Sequence, residues 1–327
     1  MQAKNQKIVV LGTGGTIAGE SSSENEGLSY KAAQRSIDDL LQAVAGVSAG
    51  LPEVLQNFQF ESEQVAQLDS KDMNFATWHH LAQRCEHWLA QAEVTGVVIT
   101  HGTDTLEETA YFLSRVVKTS KPIVLTCAMR PANFIDADGP QNLRDALSVA
   151  ASSQGSGVWL VAAGEIHHSQ WVQKVHPTRL NAFDSAEHGP AGFIAKDCIE
   201  WRYPSNGQPK SIKAVGATSL PEPDQWPWVE IVLNHVQVNA KHVDALLAAG
   251  VQGIVMAGTG NGSVNSKLQE QLDKAVQDGV QVRLSTRCTQ GFVVATESHR
   301  FAVQDNLNPV KTRVALMLDM MSNEQGH

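Results

Sequence analysis

Thr16 is the side chain that most invites a chemical reading. It sits in Gly12-Thr13-Gly14-Gly15-Thr16-Ile17-Ala18-Gly19, a small and hydroxyl-rich run directly after an apolar stretch. Glycines at such a turn let a ligand approach the backbone, and a threonine hydroxyl becomes a nucleophile once a partner removes its proton. A second run of this kind, Thr100-His101-Gly102-Thr103-Asp104-Thr105, follows another apolar stretch. Each run has a plainer explanation. The first could be a nucleotide loop, but G-x-G-x-x-G counted from Gly12 needs glycine where Ile17 stands, and no Gly-Lys-Ser/Thr ending is present. A structural glycine turn is the other alternative. In the second run Asp104 or Thr105 could cap a following helix, with Glu107 or Glu108 completing a capping box. A cap accounts for one or two of these residues and not for the cluster. A helix N-terminus dressed with hydroxyls also suits a carboxylate ligand.

The elements that must carry these turns follow from periodicity. Lys7–Leu11, Gly96–Thr100, Pro122–Thr126 and Gly157–Val161 read as short buried strands. Between them, Phe75, Trp78, Leu81, Ala82, Cys85, Trp88 and Leu89 share one helical face, as do Leu106, Ala110, Leu113 and Val117. Near-continuous apolar strands alternating with helices predict an α/β fold with a mainly parallel sheet covered on both faces. In such a sheet ligands bind at the carboxyl ends of the strands, where both runs lie. From Arg202 to Trp228 the pattern fails and five prolines appear, which marks a connector. Alternation resumes with Val229–Leu233, a helix over Lys241–Ala249, Gly253–Met256, a helix over Ser266–Gln277, Val280–Leu284 and a last helix from Pro309. The expected organisation is an α/β domain over residues 1–203, a linker over 204–227 and a smaller α/β domain over 228–327.

A chain of 327 residues with 42% hydrophobic and 18% charged residues can bury two cores. A net charge of −9 argues against a nucleic-acid partner, and no run of roughly 18 apolar residues suggests a membrane span. Cys85, Cys127, Cys198 and Cys288 are scattered and read as reduced thiols. With no secretory pattern ahead of Lys7, a cytoplasmic location is expected.

Thr13–Gly19 (TGGTIAG) and Thr100–Leu113 (THGTDTLEETAYFL) closely resemble the two signature motifs of bacterial-type L-asparaginases, a family that includes glutaminase-asparaginases. The likeness continues in order through Ser70-Lys71-Asp72-Met73-Asn74, Ala128-Met129-Arg130-Pro131, Asp138-Gly139-Pro140, Gly258–Ser263 and Leu307-Asn308-Pro309. The resemblance implies hydrolysis of L-asparagine to L-aspartate and ammonia, with L-glutamine as a weaker substrate. It also implies a homotetramer built as a dimer of close dimers, with sites between the N-domain of one subunit and the C-domain of its partner. Thr16 would be the nucleophile. Tyr30 would contact it from a loop over Gly19–Ser29 that closes on the site. Thr103, Asp104 and Lys174 would form a second set, and Ser70 and Asp104 would hold the α-carboxylate and α-amine. Gly15, Lys71, Ala128, Asn261 and Glu297 complete the expected substrate contacts, the last two reaching a partner's site. No cofactor or metal is implied. Either a lysine kept neutral or a tyrosine oxygen could serve as the base, and the sequence leaves both open.

Some residues depart from the family pattern. Lys71 stands where glutamine or glutamate is usual. Gly164–Trp171 (GEIHHSQW) replaces an asparagine- and arginine-containing segment ahead of Lys174, which lies nine residues before Phe183. The loop Gln290–Asp305 is shorter than in many secreted members. Among the histidines, His79, His80 and His87 belong to a helix, His167 and His168 to an expected loop, and neither set has ligand spacing. His101 reads as orienting its turn. Two rival functions are an amidase subunit of a tRNA-dependent amidotransferase and a non-catalytic amino-acid sensor. The first strand beginning near residue 7 leaves no room for the extra N-terminal domain of the former. Retention of both Thr16 and Thr103 argues against the latter.

Overall fold

The computed structural model describes residues 6–22, 30–45, 51–152, 154–202, 216–304 and 306–324. Most of the expected loop over Gly19–Ser29 and half of the expected linker, together with Asp305, lie outside those residues. The chain divides into two units, Met1–Ser219 and Leu220–His327.

The first unit runs β1 (Gln6–Gly14), β2 (Glu20–Ser21), β3 (Tyr30–Lys31), α1 (Ile37–Ala45), β4 (Phe58–Leu68), α2 (Phe75–Leu89), β5 (Val94–Thr100) and α3 (Leu106–Val116). It continues with β6 (Pro122–Thr126), α4 (Gly139–Ala151), β7 (Gly157–Ala162), β8 (Glu165–His168), β9 (Gln173–Lys174), β10 (Phe183–Asp184), β11 (Gly192–Ala195) and β12 (Cys198–Trp201). One eight-stranded sheet has the order β12-β11-β8-β7-β6-β5-β1-β4. From β4 to β7 all neighbours are parallel, and β8, β11 and β12 extend the sheet antiparallel. The expected apolar strands form its centre. Ile8 to Leu11, Val97 to Ile99 and Ile123 to Leu125 are all fully buried. Alternate residues serve opposite faces, and Ile8 and Val10 pack with Leu40 and Leu41 of α1 and Leu143 and Leu147 of α4. Each such side chain contributes about 1.5–3 kcal/mol of transfer free energy.

The chain leaves β1 for β4 on one side and then returns to β5 on the other. The order therefore switches at β1, and a crevice for a ligand is expected where the carboxyl ends of β4, β1 and β5 meet. Two features differ from the sequence expectation. β4 carries Gln59, Glu61, Glu63 and Gln67 at alternate positions and reads as polar, because as an edge strand it is only half covered. His167 and His168 lie in strand β8, not in a loop, and both are buried. Burial of two histidines in a strand requires polar partners, which only the fold supplies.

The second unit holds β13 (Val229–Leu233), α5 (Lys241–Ala248), β14 (Gly253–Gly258), α6 (Ser266–Gln277), β15 (Gln281–Thr286), β16 (Ala302–Val303) and α7 (Pro309–Glu324). Its four strands are parallel in the order β13-β14-β15-β16. Val232, Ile254, Met256, Leu268, Leu272 and Leu284 belong to its core.

Candidate active site

Three turns meet at the switch point. They follow β4, β1 and β5 and carry Ser70, Thr16 and Thr103. Their backbones touch so closely that side chains are excluded. A Cβ on Gly15 would lie 2.3 Å from both Cα and N of Gly102, and one on Gly102 would lie 2.5 Å from Ser70 Oγ. Gly15 also has φ +80°, a conformation that disfavours any L side chain. Buried hydrogen bonds fix the strand ends: Thr13 Oγ1 donates to Thr100 O at 2.9 Å, Gly15 N to Leu68 O at 2.9 Å and His101 N to Thr126 O at 2.9 Å.

Thr16 opens a 3-10 turn directly after β1 and is 5% exposed. Its Oγ1 lies 2.7 Å from Tyr30 Oη, and either oxygen can be the donor. Pairing of Ser21 with Tyr30 in the β2–β3 ribbon returns the tyrosine to the threonine. The second set also assembles. Lys174 Nζ donates to Thr103 Oγ1 at 2.8 Å and to Asp104 Oδ1 at 2.7 Å. Thr103 is buried, whereas the Asp104 side chain is 54% exposed and open to a ligand. Because Thr103 Oγ1 accepts from Lys174, its own proton remains available for donation.

Ser70 is buried beneath Asp104, whose backbone N donates to Ser70 Oγ at 3.1 Å. Thr105 is the N-cap residue of α3, yet its hydroxyl donates to Ser70 O at 2.8 Å and makes no capping bond. The expected side-chain cap gives way to a tie between two turns. Lys71 is exposed, and its Nζ donates to Asp69 Oδ2 at 2.5 Å. That bond raises Lys71 above the ordinary lysine range, with the Asp69 charge adding to it. Ala128 is buried after β6, in contact range of Gly139. Asn261 and Glu297 belong to the second unit, both exposed and in turns. Asn261 braces the loop that carries Glu297: its Nδ2 donates to Val294 O at 3.0 Å, and Val294 N donates to its Oδ1 at 2.7 Å.

Comparison with known proteins shows the family. Residues 7–206 match the model for "Asparaginase, N-terminal" and residues 228–325 that for "Glutaminase/Asparaginase C-terminal domain". The chain belongs to the asparaginase family. It is 39% identical to the "Probable L-asparaginase periplasmic" of Haemophilus influenzae, over 95% of this chain and 87% of that one. It is 36% identical to the "Glutaminase-asparaginase" of Pseudomonas fluorescens, over 99% and 88%. The crystal structure of a "Probable Cytoplasmic L-asparaginase" from Campylobacter jejuni superposes with a TM-score of 0.87 at 34% identity, covering 96% of this chain and 95% of that one.

Two supports of this asparaginase-family site escape sequence reading. Asp138 accepts from Met129 N at 2.9 Å and from Arg130 N at 3.0 Å, so the Asp-Gly-Pro motif holds the Ala-Met-Arg-Pro turn nearby. The signal was two motifs in order; the bond between them is tertiary. The other is the relay behind His101, which is fully buried. Trp78 Nε1 donates to Thr109 Oγ1 at 2.8 Å, and that oxygen lies 3.0 Å from His101 Nε2. His101 Nδ1 lies 2.7 Å from Gly102 O. The carbonyl can only accept, so Nδ1 carries the proton and Nε2 accepts from Thr109. His101 thus orients the turn, as its position suggested.

Burial lowers His101 to about 4, against a smaller opposing effect of the Gly102 hydrogen bond. The unfolded chain therefore binds a proton near pH 6.5 that the folded chain refuses. The folded state should lose up to about 3 kcal/mol as pH falls from roughly 6.5 to about 4, and the contribution is whole above that window. Asp145, pushed by burial up to about 6, opposes this, because its proton favours the folded state below that pH. The His101 effect is isolated by comparing urea midpoints of wild type and His101→Asn across roughly pH 4–7. A flatter slope in the variant is expected. Identical slopes would mean His101 is not held neutral.

Proposed function

We propose that this chain hydrolyses L-asparagine to L-aspartate and ammonia, with Thr16 as nucleophile and weaker action on L-glutamine. The observation that carries the reading is the 2.7 Å contact of Thr16 Oγ1 with Tyr30 Oη on a turn packed against the Lys174–Thr103–Asp104 set. Thr16 Oγ1 attacks the side-chain amide carbon while its proton passes to the Tyr30 oxygen, whose own phenol proton is the one released towards the amide nitrogen. Collapse of the tetrahedral adduct, with a proton delivered to the leaving nitrogen, expels ammonia and leaves an ester on Thr16. Water then cleaves the ester, releasing aspartate and restoring the hydroxyl. Lys174 and Thr103 act as the second proton-handling pair. Ser70 and Asp104 take the α-carboxylate and α-amine, with Gly15 and Ala128 lining the pocket. The pairing of Lys71 with Asp69 favours an indirect role for this lysine, in which it leaves to the α-amine the Asp104 oxygen that Lys174 does not hold.

Asn261 and Glu297 act in the site of a second copy, within a homotetramer of close dimers. A cytoplasmic location is supported by the name of the Campylobacter neighbour, while the Haemophilus relative's name says periplasmic; fractionation of producing cells separates the two. The functional test is ammonia release by the purified protein from L-asparagine and from L-glutamine, run with sedimentation at the assay concentration. Asparagine is expected to react faster, in a tetrameric species. The two amides differ by one methylene, worth about 1–3 kcal/mol, so a ratio of roughly 10 to 200 is expected. No ammonia from either amide by folded tetramer would overturn the proposal.

A further inference from the structure

We infer that His167 is a positioning residue for Lys174, acting through Ser185; the inference rests on the role given to Lys174 above. Lys174 lies in β9, which pairs with β10 at two positions, Lys174 with Phe183 and Gln173 with Asp184, and Val175 N donates to Ala182 O just beyond them. A two-stranded ribbon this short does not hold its own position. One anchor is the bond from Val172 N to His168 O ahead of β9, and the other is the residue after Asp184. Ser185 is fully buried, and its Oγ lies 2.9 Å from Nδ1 of His167, itself 1% exposed in β8 opposite Leu160 of β7. The other ring nitrogen, Nε2, lies 3.2 Å from Glu165 Oε2.

A neutral imidazole has one N–H. The Glu165 carboxylate beside Nε2 favours the proton on that nitrogen, which leaves Nδ1 to accept the Ser185 hydroxyl proton. The buried serine and the imidazole satisfy each other, and the ribbon is fastened to the main sheet at a point two residues beyond Phe183, the partner of Lys174. Serine, histidine and glutamate in a row look like a second hydrolytic centre. Complete burial of Ser185 excludes that, since no substrate carbonyl can reach its oxygen. The segment that holds His167 is also where this chain departs from the sequence pattern of the family it resembles.

The two halves of the imidazole can be replaced separately. An asparagine places an acceptor near the Nδ1 position and keeps the bond to Ser185. A glutamine reaches the Nε2 position and keeps only Glu165. With the full-length protein, kcat for L-asparagine is expected to stay within about twofold in His167→Asn. It should fall roughly tenfold or more in His167→Gln and in Ser185→Ala, with KM little changed. Melting temperatures recorded alongside separate positioning from folding, since asparagine leaves the larger cavity and should cost more stability. Equal losses of kcat in the two His167 variants, or losses that track melting temperature, would overturn the relay. Lys174→Gln distinguishes the underlying reading: unchanged kcat there removes Lys174 from the reaction and the relay with it.

Discussion

Replacing Thr16 by alanine should lower kcat for L-asparagine by about four orders of magnitude, close to 5.5 kcal/mol of transition-state stabilisation. The effect follows from chemistry that nothing nearby can replace. In the proposed reaction the covalent intermediate forms on this oxygen, and alanine offers none. The next hydroxyl, Thr103 Oγ1, is already engaged by Lys174. Binding should survive, because the groups assigned to the α-carboxylate and α-amine, Ser70 and Asp104, belong to different turns. Calorimetric titration of the variant with L-aspartate should give a Kd within a few-fold of wild type. Tyr30→Phe removes only the hydroxyl 2.7 Å from Thr16, and should cost a smaller factor of roughly 10² to 10³. A Thr16→Ala variant with more than a tenth of wild-type kcat would move the nucleophile elsewhere, with Thr103 the first residue to test.

A single methyl group at Gly15 should do comparable damage by another route. The added Cβ would meet Gly102 backbone atoms at 2.3 Å, and neither turn can retreat while Gly102 is pressed on Ser70. Backbone strain at φ +80° adds to this overlap, and the combined cost is expected to be roughly 3 kcal/mol or more. Gly250→Ala is the matched control. Gly250 also has a positive φ, +87°, but a Cβ there meets nothing within 4 Å, so only the conformational part remains, about 1 kcal/mol. Denaturant midpoints give both values. Activity should separate them further, because any shift that relieves the Gly15 clash also moves Thr16 away from Tyr30. Equal destabilisation by the two substitutions would show that the close approach of the turns does not matter.

Much of this architecture could be read along the chain. Apolar runs such as Lys7–Leu11 and Pro122–Thr126 announced buried parallel strands, because helices cover the sheet on both faces and leave no polar side to confuse the pattern. The glycine and hydroxyl turns after β1 and β5 marked the candidate site, because strand ends at a switch point are where an open sheet admits a ligand. Strand β4 was hidden, since its exposed edge position leaves its alternation dominated by Gln and Glu. The histidine strand β8 was hidden too, since the polar partners that let His167 be buried there, Ser185 above all, come from the fold and not from the local pattern.

The sequence by itself determined the strand centres, the helix faces and the identity of the reactive residue types, all of which depend on neighbours within one or two turns of chain. Only the tertiary structure decided that Gly15, Gly102 and Ser70 stack, that Tyr30 reaches Thr16, and that Lys174 turns to Thr103 and Asp104. Such contacts, like the bond from Thr13 to Thr100 beneath them, join segments as much as 87 residues apart. Over that separation no local propensity acts, and register between strands sets which atoms meet.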